Sequence, residues 1–162
     1  MKQIFDRDYP VTSILLIITS LVFALMFLFY GFQYSSTEAL SYFGAVRGYT
    51  IQEMPMEFWR VFAAIFVHIG LEHFVVNMLT LYFLGRQIEA IFGSWKFLIL
   101  YLMSGVMGNL FVVYFSPNSL AAGASTSLFG LFASVVVLRY VTRNYYLQQL
   151  GQSYMSLPAV TN

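Results

Sequence analysis

Ser125 lies in the stretch Ala122-Gly123-Ala124-Ser125-Thr126-Ser127-Leu128-Phe129-Gly130, where small residues open a long apolar run. A hydroxyl at the start of a helix is well placed for acyl chemistry. Helix N-termini present unpaired N–H groups and a partial positive charge, which suit the oxygen anion formed when a carbonyl is attacked. The same residues also suit another use. Small side chains four apart, in Gly123/Ser127, Thr126/Gly130 and Gly130/Ser134, let membrane helices pack closely. The stretch alone does not choose between these readings.

More polar groups stand upstream. His73 and Asn77, four apart, share one face of a helix. Ionisable residues within membrane helices are costly and are candidates for function. Here they are His68, Glu72, His73 and Glu89, and each also suits a side chain satisfied at the mouth of a helical bundle. His68 and His73, five apart, diverge around a regular helix. The chain has no cysteine and no His-Glu-x-x-His pattern, so neither a metal site nor a disulfide is expected. Glu89, flanked by Gly85, Arg86 and Gly93, reads as a pairing or capping group at a helix end. Trp59-Arg60 suits an interfacial anchor, with the indole at headgroup depth and the guanidinium reaching water.

The elements that must position these groups follow from hydropathy. Of 162 residues, 59% are hydrophobic and only 9% charged, whereas charged residues make up about a quarter of soluble domains. An all-α, polytopic membrane helical bundle is expected, as one domain over residues 1–162. Val11–Tyr30 carries no charge and has the roughly 20 residues that cross about 30 Å of hydrocarbon. It reads as a retained span, because no small-residue cleavage site follows it. Four transmembrane helices are expected, near 11–31, 70–90, 97–115 and 121–140, with the start of a fifth at Tyr154–Val160. Between the first two lies the most polar part of the chain, in which 39–46 and 58–66 suit short interfacial helices. Six of the eight basic residues (Lys2, Arg7, Arg86, Lys96, Arg139, Arg143) fall on one side of this topology. The N-terminus is therefore expected in the cytoplasm and Ser125 at the outward end of its helix. A net charge of +1 offers nothing to nucleic acid.

Taken together, Trp59-Arg60, His68, His73, Asn77, Gly85, Glu89, Gly93 and Gly123-x-Ser125 resemble the rhomboid family of intramembrane serine proteases. The order and spacing match from about Phe58 to Tyr140. The resemblance implies cleavage of transmembrane or juxtamembrane segments of membrane proteins, in a plasma membrane and without a cofactor. It assigns Ser125 as nucleophile, and His73 and Asn77, with the Ser125 N–H, as oxyanion stabilisers. His68, Trp59 and Arg60 become supports of the loop, and Gly123 gives the backbone room to approach. Phe129 matches an aromatic position that packs against the catalytic histidine.

Two departures are visible. The family motif is Gly-x-Ser-Gly, and Thr126 replaces its last glycine, which is expected to be tolerated with an effect on substrate fit. The family's general base is a histidine in an Ala-His-x-x-Gly pattern on the sixth helix. Both histidines here match other positions, so an incomplete and inactive chain is expected, because an unassisted serine is a poor nucleophile. A non-catalytic scaffold that binds transmembrane segments is the alternative. A generic helical subunit would leave the joint pattern unexplained.

Overall fold

The computed structural model describes residues 8–155. Helices dominate, as expected of an all-α membrane bundle, and among the described residues three are long and apolar enough to cross a membrane: Pro10–Gln33, Ser94–Phe115 and Ser125–Arg143. Helix α1 (Pro10–Tyr30) starts with Pro10 at its first turn, where a missing N–H costs nothing. A short 3₁₀ turn, Gly31–Gln33, ends that span.

The polar region then folds into short pieces. Helix α2 (Thr37–Phe43) is capped by Ser36, whose Oγ accepts from the Ala39 N–H at 3.2 Å. It stops at Gly44, which has φ +104°. Strand β1 (Val46–Arg47), helix α3 (Gly48–Glu53), a 3₁₀ turn (Pro55–Trp59) and helix α4 (Arg60–Ala63) follow. These are the short helices expected around 39–46 and 58–66.

The region near 70–90 is one rod in three parts: α5 (Leu71–Thr80), a wider π turn (Leu81–Gly85) and α6 (Arg86–Phe92). Single π turns of this kind usually mark functional or strained positions in helices. Helix α7 (Ser94–Phe115) leads to strand β2 (Leu120–Ala121) and helix α8 (Ser125–Met155). The two strands form a minimal antiparallel ladder, Val46 opposite Ala121 and Arg47 opposite Leu120. Nothing in the hydropathy pattern announces that ladder. It takes up Ala121, the first residue of the span expected at 121–140, and α8 begins at Ser125. Tyr154 and Met155 still belong to α8, and the rest of the expected fifth helix lies outside the described residues.

The chain divides into two compact units, residues 1–131 and 132–162. The first contains Trp59, Arg60, His68, His73, Asn77, Glu89 and Ser125. Its interior holds two apolar clusters. One is Val46, Ile51, Val61, Ala64 and Val113, and the other is Met26, Leu40, Ala45 and Val67. Both pack the polar region against long helices, so this loop is a folded part of the bundle. In the second unit α8 continues, with Val136 and Val137 exposed as expected of a lipid-facing helix.

Candidate active site

Arg60 organises the loop. Its Nε donates to Glu57 Oε2 at 2.6 Å, its Nη1 donates to the Ser41 carbonyl, and its guanidinium lies 4.8 Å from the Trp59 ring centroid. Trp59 is half exposed, yet its ring also covers Gly44, where an added Cβ would come within 2.8 Å of Trp59 Cζ3. The Trp59-Arg60 pair thus ties the end of α2 to the start of α4. From α7, Asn109 is buried and donates to the Val61 carbonyl at 2.8 Å. Sequence reasoning missed Asn109, although a lone amide in an apolar run was a usable signal.

This loop holds the turn before Ser125. The Tyr49 N–H donates to the Pro117 carbonyl at 3.1 Å, and the Gly123 N–H donates to the Ala64 carbonyl at 2.8 Å. His68, fully buried in the turn between α4 and α5, makes the next link. The Ala124 N–H donates to His68 Nε2 at 3.3 Å, and Nδ1 faces the Phe66 carbonyl at 3.3 Å. Nε2 accepts, so the proton sits on Nδ1 and the ring is neutral. Burial pushes the imidazole down to about 4, which favours that neutral form.

The first turn of α8 follows directly. Its first helical bond runs from the Leu128 N–H to the Ala124 carbonyl at 3.0 Å. The N–H groups of Ser125, Thr126 and Ser127 therefore have no acceptor within the helix. Gly123, at φ +132°, lies against His73: a Cβ there would come within 2.5 Å of His73 Cε1 and 3.0 Å of Nε2. Only glycine suits both the conformation and the contact. The His68 and His73 rings are 5.4 Å apart. Asn77, one turn beyond His73, is 4% exposed, and its Nδ2 has no hydrogen-bond partner among the described residues. A buried amide without a partner is costly unless a ligand or water completes it. His73 thus lies against the glycine two residues before Ser125, and Asn77 stands one helical turn beyond His73.

The other marked residues meet other parts of the bundle. Glu89 accepts from the Val11 N–H (3.0 Å), the Thr12 N–H (2.8 Å), Thr12 Oγ1 (2.7 Å) and Ser94 Oγ (2.7 Å). It is a capping group, but for α1, a different helix from its own. Gly85 lets α1 approach, since a Cβ there would meet the Thr12 side chain at 3.2 Å. Thr126 faces α7, where a Cβ on Gly108 would come within 2.6 Å of Thr126 Cβ. The side chain that replaces the family glycine is therefore accommodated by a glycine on the neighbouring helix. Ser127 and Gly130 likewise pack against Gly105 and Ser104 of α7, as small-residue spacing suggests. Phe129 is 73% exposed.

These features describe a membrane-embedded helical bundle in which a serine opens a helix two residues after a glycine packed on a histidine. Comparison with known proteins gives the family. The Rhomboid domain family matches residues 55–161, and this chain belongs to it. It is 34% identical over 117 residues to Rhomboid protease GluP of Bacillus subtilis, covering 72% of this chain and 22% of that protein. It is 29% identical over 156 residues to Putative rhomboid protease YdcA of the same organism, covering 96% and 73%. An Arabidopsis thaliana relative called Inactive RHOMBOID-like protein 8 is 31% identical over 101 residues, covering 62% and 28%. The chain thus spans about a fifth of GluP and about three quarters of YdcA. The family includes proteases and inactive members, and the chain is an integral membrane protein.

Proposed function

We propose that this chain carries the nucleophile and the oxyanion-binding groups of an intramembrane serine endopeptidase acting on transmembrane or juxtamembrane segments of membrane proteins. The observation that carries the reading is the buried, unpartnered Asn77 amide on the same helix face as His73, with His73 packed against the glycine two residues before Ser125. Ser125 Oγ attacks the scissile carbonyl. The developing oxyanion takes hydrogen bonds from Asn77 Nδ2, from a protonated nitrogen of His73 and from the Ser125 N–H. Donors fixed in advance in a site screened from water stabilise that charge without reorganising. The distribution of basic residues supports an outward-facing mouth for this site, and the resemblance to rhomboids supports a plasma membrane.

The proton of Ser125 needs an acceptor. His68 is held between the Phe66 carbonyl and the Ala124 N–H, and His73 serves the oxyanion, so this reading takes its general base from outside these 162 residues. The experiment is reconstitution of the full-length gene product with a transmembrane reporter. Cleavage is expected, with Ser125→Ala lowering it by at least about 10³-fold. Undiminished cleavage by that variant overturns the reading.

A second reading, a non-catalytic scaffold that binds transmembrane segments, is favoured by the commitment of both histidines and by the inactive relative. It expects the reporter to crosslink at full length without being cut.

A further inference from the structure

The buried residues of α7 are Phe97, Tyr101, Gly105, Asn109 and Val113, one every fourth position and so on one face of the helix. Asn109 is the exception in chemistry, because an amide buried in a membrane-crossing helix is costly unless it is bonded. Its Nδ2 donates to the Val61 carbonyl at 2.8 Å. That carbonyl is available because the chain tightens at the end of α4. In a regular α-helix the Ile65 N–H would serve Val61, but here it donates to the Phe62 carbonyl at 3.2 Å. Ala64, the residue after α4, in turn gives its own carbonyl to the Gly123 N–H at 2.8 Å. Two carbonyls three residues apart therefore bond to different partners, one to α7 and the other to the turn before Ser125. Val61 and Ala64 also pack in the apolar cluster with Val46 and Val113. Apolar contact is non-directional and tolerates sliding along α7, whereas a hydrogen bond fixes the height at which α4 sits.

We propose that Asn109 is a positioning residue for the turn that carries Ser125. Its amide sets the height of α4 on α7, and the Ala64 carbonyl passes that height to Gly123. Gly123 lies against His73 and stands two residues before Ser125, so the same link sets the serine relative to the imidazole. Gly105, one turn before Asn109, works from the same face of α7. An added Cβ there would collide with Ser127 Oγ and come within 2.6 Å of Ile65 Cδ1, so α7 lies close to both α8 and the end of α4 at this level. Asn109 touches no reacting atom and acts only through α4. Its consequence for catalysis rests on the reading of Ser125 as nucleophile, whereas its hold on the turn does not.

The test joins amide hydrogen exchange of the 162-residue chain in lipid nanodiscs to kinetics of the full-length gene product on a transmembrane reporter. Asn109→Leu removes the donor and nearly keeps the volume. Peptides containing Gly123 and Ala124 are expected to exchange about tenfold faster, the scale of one buried hydrogen bond, while those containing Val11 and Thr12 keep their rates. Glu89→Gln, which loosens the start of α1, is expected to show the opposite pattern. Asn109→Ser, whose short hydroxyl bonds within its own helix, gives the result if Asn109→Leu does not fold. In the reporter assay Asn109→Leu is expected to lower kcat by about tenfold with KM unchanged, and Glu89→Gln to leave kcat unchanged. Unchanged exchange at Gly123, or exchange faster by the same factor everywhere, overturns the proposal, because packing alone would then hold the turn. Full kcat in Asn109→Leu beside an inactive Ser125→Ala also overturns it, and leaves Ser125 as the nucleophile. Undiminished cleavage by Ser125→Ala, or a reporter that is bound and never cut, removes the catalytic consequence, and exchange at Gly123 then decides whether Asn109 holds the turn.

Discussion

Asn77 and His68 are both buried amide- or imidazole-bearing side chains, yet their partners differ, and so do the consequences of changing them. Asn77 Nδ2 has no partner among the described residues, so Asn77→Ala removes no hydrogen bond from the resting fold. On the proposed mechanism it removes an oxyanion donor, and kcat of the full-length protein is expected to fall by about 10²–10³-fold. Thermal stability should change little, and a melting curve beside the kinetic assay separates the two effects. His68 is the reverse case. Its neutral ring accepts from Ala124, and burial holds it near 4, below the ordinary value of 6.5. Above pH 6.5 both folded and unfolded forms are neutral, and its contribution to stability is complete. As pH falls from 6.5 towards 4 the unfolded chain takes up a proton that the folded chain refuses, so that stability is progressively lost. Thermal melts across this window are expected to show a drop that His68→Gln flattens, because an amide oxygen accepts from Ala124 without titrating.

At the scale of elements, glycines and one carboxylate decide how the helices meet. Gly44 ends α2 at φ +104° directly beneath the Trp59 ring. Gly44→Ala combines a strained backbone with a 2.8 Å clash, and a loss of about 1–3 kcal/mol in unfolding free energy is expected in a detergent-based unfolding assay. Glu89→Gln tests the cap of α1. The amide would present a donor to groups that themselves donate, leaving at least one of the Val11, Thr12 and Ser94 donors unsatisfied. A buried donor left unsatisfied costs about 1–3 kcal/mol, and the same assay reads it. The Thr126–Gly108 contact gives a third case. Gly108→Ala is expected to lower stability, because the new methyl meets Thr126 Cβ at 2.6 Å, whereas Gly108→Ala with Thr126→Gly should recover much of the loss.

For the molecule as a whole, the class of protein was legible from residues alone. Transfer to lipid is nearly a sum over side chains, so uncharged runs of about 20 residues announce spans wherever they fold. That His73 and Asn77 share one helix face was legible too, because helical spacing sets it without reference to the rest of the chain. Hydrogen bonds between distant segments are of another kind. Glu89 looked like a local cap but serves Thr12, 77 residues away, and His68 meets Ala124 across 56 residues. The start of α8 comes after the ladder between β1 and β2, whose last residue there is Ala121, and after the turn in which Gly123 packs against His73. Residue types and periodicity therefore determined that this is a membrane-embedded helical protein, and they put forward the serine, histidine and asparagine that the proposed function uses together. Only the tertiary structure decided which carbonyl, ring or glycine each of those groups meets. Each such meeting joins segments far apart in the chain, and no local propensity encodes it.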